Sequence, residues 1–299
     1  SGVIFGSKLL SKILDSGYDV SAIFSYNDKK QSVYSDYYNF DNLAKKYDIK
    51  NFKIDKINDH KNIDKIQSLK PDLILVMGWS QLLNDELIHI PKIGVIGSHP
   101  TELPKYRGRA PIPWTILKDL KNSALTFFWI EEGVDNGDIL DQKFFEISEY
   151  DDSESLYEKI TKTGEEMILK NLLLLEKNII KKQKQDETKF IEYWPKRIPD
   201  DGKINWNDST KNILKLIRAS TYPYPGAFTF YKNKKFVIWK AEDCPLKNTV
   251  SGQIMKINLN GIIVATGDGG ILIKKANYDS KTINSFNKIF VNDMVLDNQ

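Results

Sequence analysis

A chain of 299 residues has room for one large domain and a small one, and its 41% hydrophobic and 28% charged composition is that of a globular protein, which argues against disorder. One cysteine, Cys244, excludes an intramolecular disulfide and makes a reducing compartment the default. No run approaches the roughly 18 apolar residues of a membrane helix, no signal peptide is visible, and the net charge is only +3. The expectation is a cytoplasmic protein with no membrane partner.

Ser1-Gly2-Val3-Ile4-Phe5-Gly6 reads as a turn that follows a first strand, with Val3-Ile4-Phe5 as the strand's remnant or the strand lying upstream. It lacks a complete G-x-G-x-x-G or Walker pattern, so no dinucleotide or ATP site is expected. A first helix follows over residues 8–15, then a buried strand over 20–24, a tyrosine-rich polar connection, and helices over 41–47 and 58–69. Ile74-Leu75-Val76-Met77 and Val95-Ile96 read as neighbouring buried strands. Gly78-Trp79-Ser80-Gln81 closes the first of these and His99 follows the second, placing both at carboxyl ends, where ligand crevices open in α/β sheets.

After His99 runs a stiff basic loop, with Pro100, Pro104, Lys105, Arg107, Gly108, Arg109, Pro111 and Pro113. The aromatic run over residues 124–130 predicts another strand, and Gly133-Val134-Asp135-Asn136-Gly137-Asp138 a turn in unusual dihedrals. A strand to Ile147 comes next, then a helix opened by Asp151-Asp152-Ser153-Glu154, broken at or continuous through Gly164, to the leucines at 172–175. Residues 181–189 read as a charged linker with a solvated face. Beyond it Ser209 caps a helix carrying Ile213, Leu214, Ile217 and Arg218, and short strands with glycine turns at 236–239, 250–257, 261–266 and 270–274 suggest a small barrel. The predicted class is α/β, a Rossmann-like, doubly wound, mostly parallel sheet with a smaller C-terminal OB-like β-barrel domain. Boundaries are expected at 1–190 for the first domain, 191–204 for a linker and 205–299 for the barrel.

Three motifs carry a resemblance. His99-x-Thr101-x-Leu103-Pro104, Arg107-Gly108-Arg109-Ala110-Pro111 and Val134-Asp135-Asn136-Gly137-Asp138 together resemble the folate-dependent formyltransferases, and the 36 positions from His99 to Asp135 fit that pattern. Trp194-Pro195-Lys196-Arg197 and the run from Pro199 to Trp206 resemble the same family's connection into its C-terminal domain. The resemblance implies an enzyme using N10-formyltetrahydrofolate as co-substrate, with His99 and Asp135 catalytic. It implies that Gly78, Trp79 and Asp138 bind the folate, and it implies no metal. One position departs: where the family places an asparagine taken to stabilise the oxyanion, two residues before the histidine, this chain has Gly97. Residues two apart on a strand share a face, so Ser98 points away and cannot stand in. A backbone N–H, a water in the space Gly97 leaves, or protonated His99 could serve, or the protein is slow or inactive.

The substrate stays open between classes. The Lys105-Tyr106-Arg107-Gly108-Arg109-Ala110-Pro111 loop and Tyr222-Pro223-Tyr224-Pro225-Gly226-Ala227-Phe228 look more like the sugar-nucleotide enzymes, such as the one acting on UDP-4-amino-arabinose, than like the initiator-tRNA enzyme. Other amino-dideoxy sugars are equally open. Lys105, Arg107, Arg109 and Arg218 are the candidate ligands of a nucleoside diphosphate. Basic residues outnumber acidic ones from Asn205 onward, which would suit tRNA under the alternative reading. A homodimer is left open. His60 and His89 read as structural.

Overall fold

The computed structural model describes residues 1–247 and 249–297. These form two compact units. The first comprises Ser1–Pro111, Lys121–Ile147 and Tyr157–Pro195; the second comprises Ile112–Leu120, Ser148–Leu156 and the chain from Lys196 onward. The stretch expected as a linker, 191–204, is thus divided between them.

In the first unit helix α1 (Ile4–Asp15) buries Phe5, Leu9 and Ile13, an i, i+4, i+8 apolar stripe. It starts four residues before the predicted helix, so Val3-Ile4-Phe5 is not a strand; Val3 makes only an isolated bridge to Tyr37. Strand β1 (Ile23–Tyr26), helix α2 (Asp41–Lys46), strand β2 (Asn51–Ile54), helix α3 (His60–Leu69) and strand β3 (Leu73–Val76) follow. β1 and β2 pair in parallel. After α4 (Asp85–Ile88), β4 (Gly94–His99) pairs with β3 in parallel. β5 (Tyr106–Gly108), α5 (Pro111–Leu117), β6 (Asn122–Trp129) and β7 (Ile139–Glu146) come next, and the sheet order is β3-β4-β6-β7. Both the β4–β6 and β6–β7 ladders are antiparallel, so within this four-stranded sheet only the β3–β4 pair is parallel.

Helix α6 (Ser153–Glu176) runs unbroken through Gly164. The reason lies in packing: a Cβ at Gly164 would stand 2.9 Å from the Phe5 ring and 3.1 Å from Leu9 Cδ1, so this glycine lets α1 and α6 approach. β8 (Glu192–Trp194) then pairs in parallel with β5.

In the second unit α7 (Thr210–Ser220) is capped as predicted, the Ser209 hydroxyl accepting from Asn212 N–H at 3.3 Å. Strands β9 (Ala227–Tyr231), β10 (Lys234–Asp243), β11 (Ile254–Asn258), β12 (Gly261–Ala265) and β13 (Gly270–Tyr278) form an antiparallel sheet in the order β11-β12-β13-β10-β9. β9 was not expected, because the Tyr-Pro-Tyr-Pro-Gly segment before it reads as turn. Bulges along β10 at residues 238–241 coil the sheet around a core of Trp206, Phe236, Ile254, Ile262 and Ile273. No helix among the described residues is long and apolar enough to cross a membrane.

Candidate active site

β4 ends at His99, and this end of the strand is the centre of the site. His99 is 5% exposed, packed on the face that also carries Gly97. Its Nε2 lies 2.9 Å from the Tyr106 carbonyl. A carbonyl can only accept, so Nε2 carries the hydrogen and, in the neutral ring, the lone pair sits on Nδ1. Nδ1 faces Asp135 Oδ2 at 3.6 Å, beyond hydrogen-bond reach, so it remains free to take a proton directed at that carboxylate.

The loop between His99 and β5 is stapled to the sheet by groups of no evident importance in the sequence. The buried Thr126 hydroxyl donates to Thr101 O at 2.7 Å, and Gln142 Nε2 donates to Thr126 Oγ1 at 2.8 Å and to Leu103 O at 3.2 Å. Thr101 Oγ1 donates to Tyr106 O at 2.7 Å, so that carbonyl serves His99 and Thr101 together. Tyr106 also stacks on Trp194, centroids 4.6 Å apart. The histidine is held by a loop that is itself held.

Asp135 arrives from the turn after β6. It has φ +50, an unusual backbone state for a residue with a side chain, and its Oδ2 accepts the Gly108 N–H at 2.9 Å. Gly137 is required there: a Cβ on it would lie 1.8 Å from the Trp129 carbonyl. Gly78, at φ +64, and Trp79 lie at the end of β3, the neighbour of β4, and Trp79 stacks on Tyr26 with centroids 4.0 Å apart. Asp138 immediately precedes β7, its carbonyl accepting from Trp129 N–H at 2.8 Å.

The four basic candidates separate. Arg109 is exposed on the loop after His99. Lys105 pairs with Glu102 at 2.8 Å. Arg107 does not offer its charge to a ligand, contrary to expectation: it is 4% exposed, with Nε and Nη2 on Gln185 Oε1 and Nη1 on Glu187 at 3.1 Å. Arg218 belongs to the second unit, where its Nη1 donates to Asp151 O at 2.8 Å and burial presses the guanidinium below its usual range, offset by Asp119, Asp152, Asp151 and Glu149. A guanidinium facing four acids is poorly placed to attract a diphosphate.

The residue the sequence reading overlooked is Gln185. It lies in the predicted solvated linker, yet it is buried and donates from Nε2 to Asp135 O and Gly137 O, both at 2.7 Å. No local pattern marks it, since Gln183, Lys184, Asp186 and Glu187 around it are all exposed; it is the docking of this segment on β7 that brings it in. Gln183 indeed pairs with Ile139.

Apolar side chains line the place beside Gly97. A Cβ there would meet Ile130 Cδ1 and Cγ1 at 3.0 Å and Phe128 Cζ at 3.1 Å, so a side chain at this position would press on its apolar neighbours. Gly97→Asn is expected to destabilise the protein by about 1–3 kcal/mol through overpacking. Calorimetry checks this, and an unchanged Tm would contradict it.

A buried histidine at a strand's carboxyl end, with its tautomer fixed and a carboxylate facing it, is a candidate acid–base pair in an α/β protein. Comparison with known proteins makes the class specific: residues 3–172 match the formyl transferase family and residues 197–291 the formyl transferase C-terminal domain. The chain belongs to the formyl transferase family. It is 38% identical over 77% of its length to a methionyl-tRNA formyltransferase of Thermodesulfovibrio yellowstonii, of which 73% is covered. It is 33% identical over 90% of its length to the bifunctional polymyxin resistance protein ArnA of Wigglesworthia glossinidia brevipalpis, of which it spans 41%. In fold it is similar to an N-formyltransferase from Helicobacter canadensis solved with folinic acid and dTDP-3-aminofucose, with TM-score 0.68 and 20% identity over 92% of this chain and 97% of that one. The family's reaction is formyl transfer with N10-formyltetrahydrofolate as co-substrate, and this chain is an enzyme of that kind.

Proposed function

We propose that the chain formylates the primary amine of a nucleotide-linked amino sugar, a UDP- or dTDP-amino-dideoxy sugar used in surface-glycan biosynthesis, as a cytoplasmic enzyme. The observation that carries the chemistry is the free Nδ1 of His99 opposite Asp135. An amine attacks only when neutral and must shed a proton as its new bond to carbon forms. His99 Nδ1 accepts that proton, and the Asp135 carboxylate, fixed by the Gly108 N–H, stabilises the resulting imidazolium. The folate co-substrate would supply the formyl group, and as its formyl carbon–nitrogen bond breaks the leaving nitrogen would take up the proton held on His99 Nδ1, returning the imidazole to its neutral form. The residues present suit it: Gly78, at positive φ, follows β3 beside β4, and Asp135 of the 133–138 turn reaches His99, so both turns border the candidate site. Gly78, Trp79 and Asp138 are assigned to that role. We assign the catalytic part to residues 1–190, the linker to 191–204 and the barrel to 205–299.

The sugar-nucleotide reading draws on the near full-length likeness to the dTDP-aminofucose enzyme and on Arg109, exposed beside the site and suited to a diphosphate. Lys105 is the second anion ligand, reached by releasing Glu102. The runner-up is formylation of methionyl-tRNA, favoured by the 38% identical relative and by the basic excess beyond Asn205. A third reading, an impaired relative that binds without turnover, is favoured by the apolar filling at Gly97.

A thermal-shift panel with UDP, dTDP, tRNA and a formyl-folate analogue separates them, since a ligand of the folded state raises its stability by about 2.7 kcal/mol at a hundredfold excess over Kd. Shifts with the folate analogue and one nucleoside diphosphate are expected. A response to tRNA and folate without any nucleotide would replace the proposal by the runner-up.

A further inference from the structure

We infer that Gln185 is a positioning residue of the reaction: it sets where Asp135 stands opposite His99. The inference rests on the His99–Asp135 reading above. All of the chain's residues involved belong to the first compact unit.

A primary carboxamide can make four hydrogen bonds, two as donor and two as acceptor. Gln185 makes all four. Its Oε1 accepts from Arg107 Nε at 3.2 Å and Nη2 at 2.7 Å, and its Nε2 donates to Asp135 O and Gly137 O, each at 2.7 Å. The orientation of the amide is decided by its partners: a guanidinium only donates and carbonyls only accept, so the oxygen must face Arg107 and the nitrogen must face the turn. A side chain of this length needs an amide to serve both partners. A glutamate keeps the arginine and loses the turn, and a lysine does the reverse.

The turn needs the help. Asp135 sits at φ +50, a backbone state that costs a non-glycine residue on the order of 1 kcal/mol and persists only where the surroundings hold it. Two bonds from Gln185 clamp the carbonyls at 135 and 137, and the Gly108 N–H takes the carboxylate. Glu187 anchors Arg107 from the other side, and Arg107 lies over the Phe190 ring at 5.5 Å, so the amide is fixed by a rigid group rather than a mobile one. The line Glu187, Arg107, Gln185, Asp135 carries the segment after α6 into the site. It also explains why an arginine in the loop after His99 is buried.

The test uses the full chain with Gln185→Glu, which preserves the Arg107 contacts and turns two donors into acceptors facing carbonyls. Asp135→Asn and His99→Asn serve as references. Expected is a fall in kcat of about 10- to 100-fold with KM for both substrates nearly unchanged, the result of misplacing a group by a fraction of an ångström to one ångström. The limb of the pH–rate profile that His99→Asn abolishes should move in the same direction in Gln185→Glu as in Asp135→Asn. With isotope-labelled histidine, the His99 ring resonance, assigned among three histidines by the His99→Asn variant, should titrate differently from wild type. A loss of Tm with an unmoved pH limb and an unmoved His99 titration would make Gln185 merely structural and overturn the inference, as would wild-type kcat. Full turnover in His99→Asn would show instead that the site reading had failed, and the inference with it.

Discussion

His99→Asn is expected to lower kcat/KM by about 10²- to 10⁴-fold, the range that a positioned acid–base group contributes. The fold should survive. His99 spends Nε2 on the Tyr106 carbonyl, but Thr101 Oγ1 donates to the same oxygen at 2.7 Å, so truncation leaves no buried acceptor unsatisfied. The stability change is then limited to about one hydrogen bond, roughly 1 kcal/mol. Asparagine cannot present a basic nitrogen where Nδ1 stands, and so the proton of the attacking amine has no acceptor facing Asp135. Steady-state turnover beside a thermal melt reads both quantities at once; a folded variant with wild-type kcat/KM would remove His99 from the chemistry.

A second large effect is expected one strand away, at Gly108→Ala. Gly108 has φ +111, and a Cβ there would stand 2.4 Å from the Trp194 carbonyl and 3.0 Å from its nitrogen, both main-chain atoms that cannot rotate aside. The methyl must push β5 off β8, at a cost of about 1–3 kcal/mol for the dihedral alone. The same movement carries the Gly108 N–H away from Asp135 Oδ2. Stability and catalysis should therefore fall together, with Tm lower by several degrees and kcat reduced at least tenfold, on the order of the sensitivity to misplacement already argued. Calorimetry and turnover on one preparation check this. A variant with native Tm would show that the β5–β8 pair tolerates displacement, and native kcat would show that Asp135 does not depend on Gly108.

The parts of this architecture that could be read from the sequence are those where periodicity and end signals agree. A strand stands at Leu73–Val76 close to where Ile74-Leu75-Val76-Met77 was expected, although its residues are half-buried rather than buried; Ser209 is followed by a helical apolar stripe, and Asp135 sits between glycines after an aromatic strand, both as expected. What escaped has a common cause, which is that the deciding contact lies far along the chain. Whether the helix continues through Gly164 was left open, because what the glycine serves is the approach of Phe5 and Leu9, about 155 to 160 positions earlier in sequence. Gln185 looked solvated because lysines flank it, although its partners are Arg107, Asp135 and Gly137. Arg107 looked like an anion ligand because the carboxylate that consumes its charge is Glu187. Charge read locally describes a loop; the fold decides which charges remain available.

Formyl transfer itself can be followed to its product. Purified protein is supplied with N10-formyltetrahydrofolate and, separately, UDP- or dTDP-linked amino-dideoxy sugars or methionyl-tRNA, and product is identified by mass spectrometry, with His99→Asn run in parallel. N-formylated sugar nucleotide is expected from the wild-type protein, with no product from the tRNA and loss of product in the variant. Formyl-methionyl-tRNA formed in preference to any formylated sugar would contradict the substrate assignment, and product formed equally by the variant would contradict the mechanism.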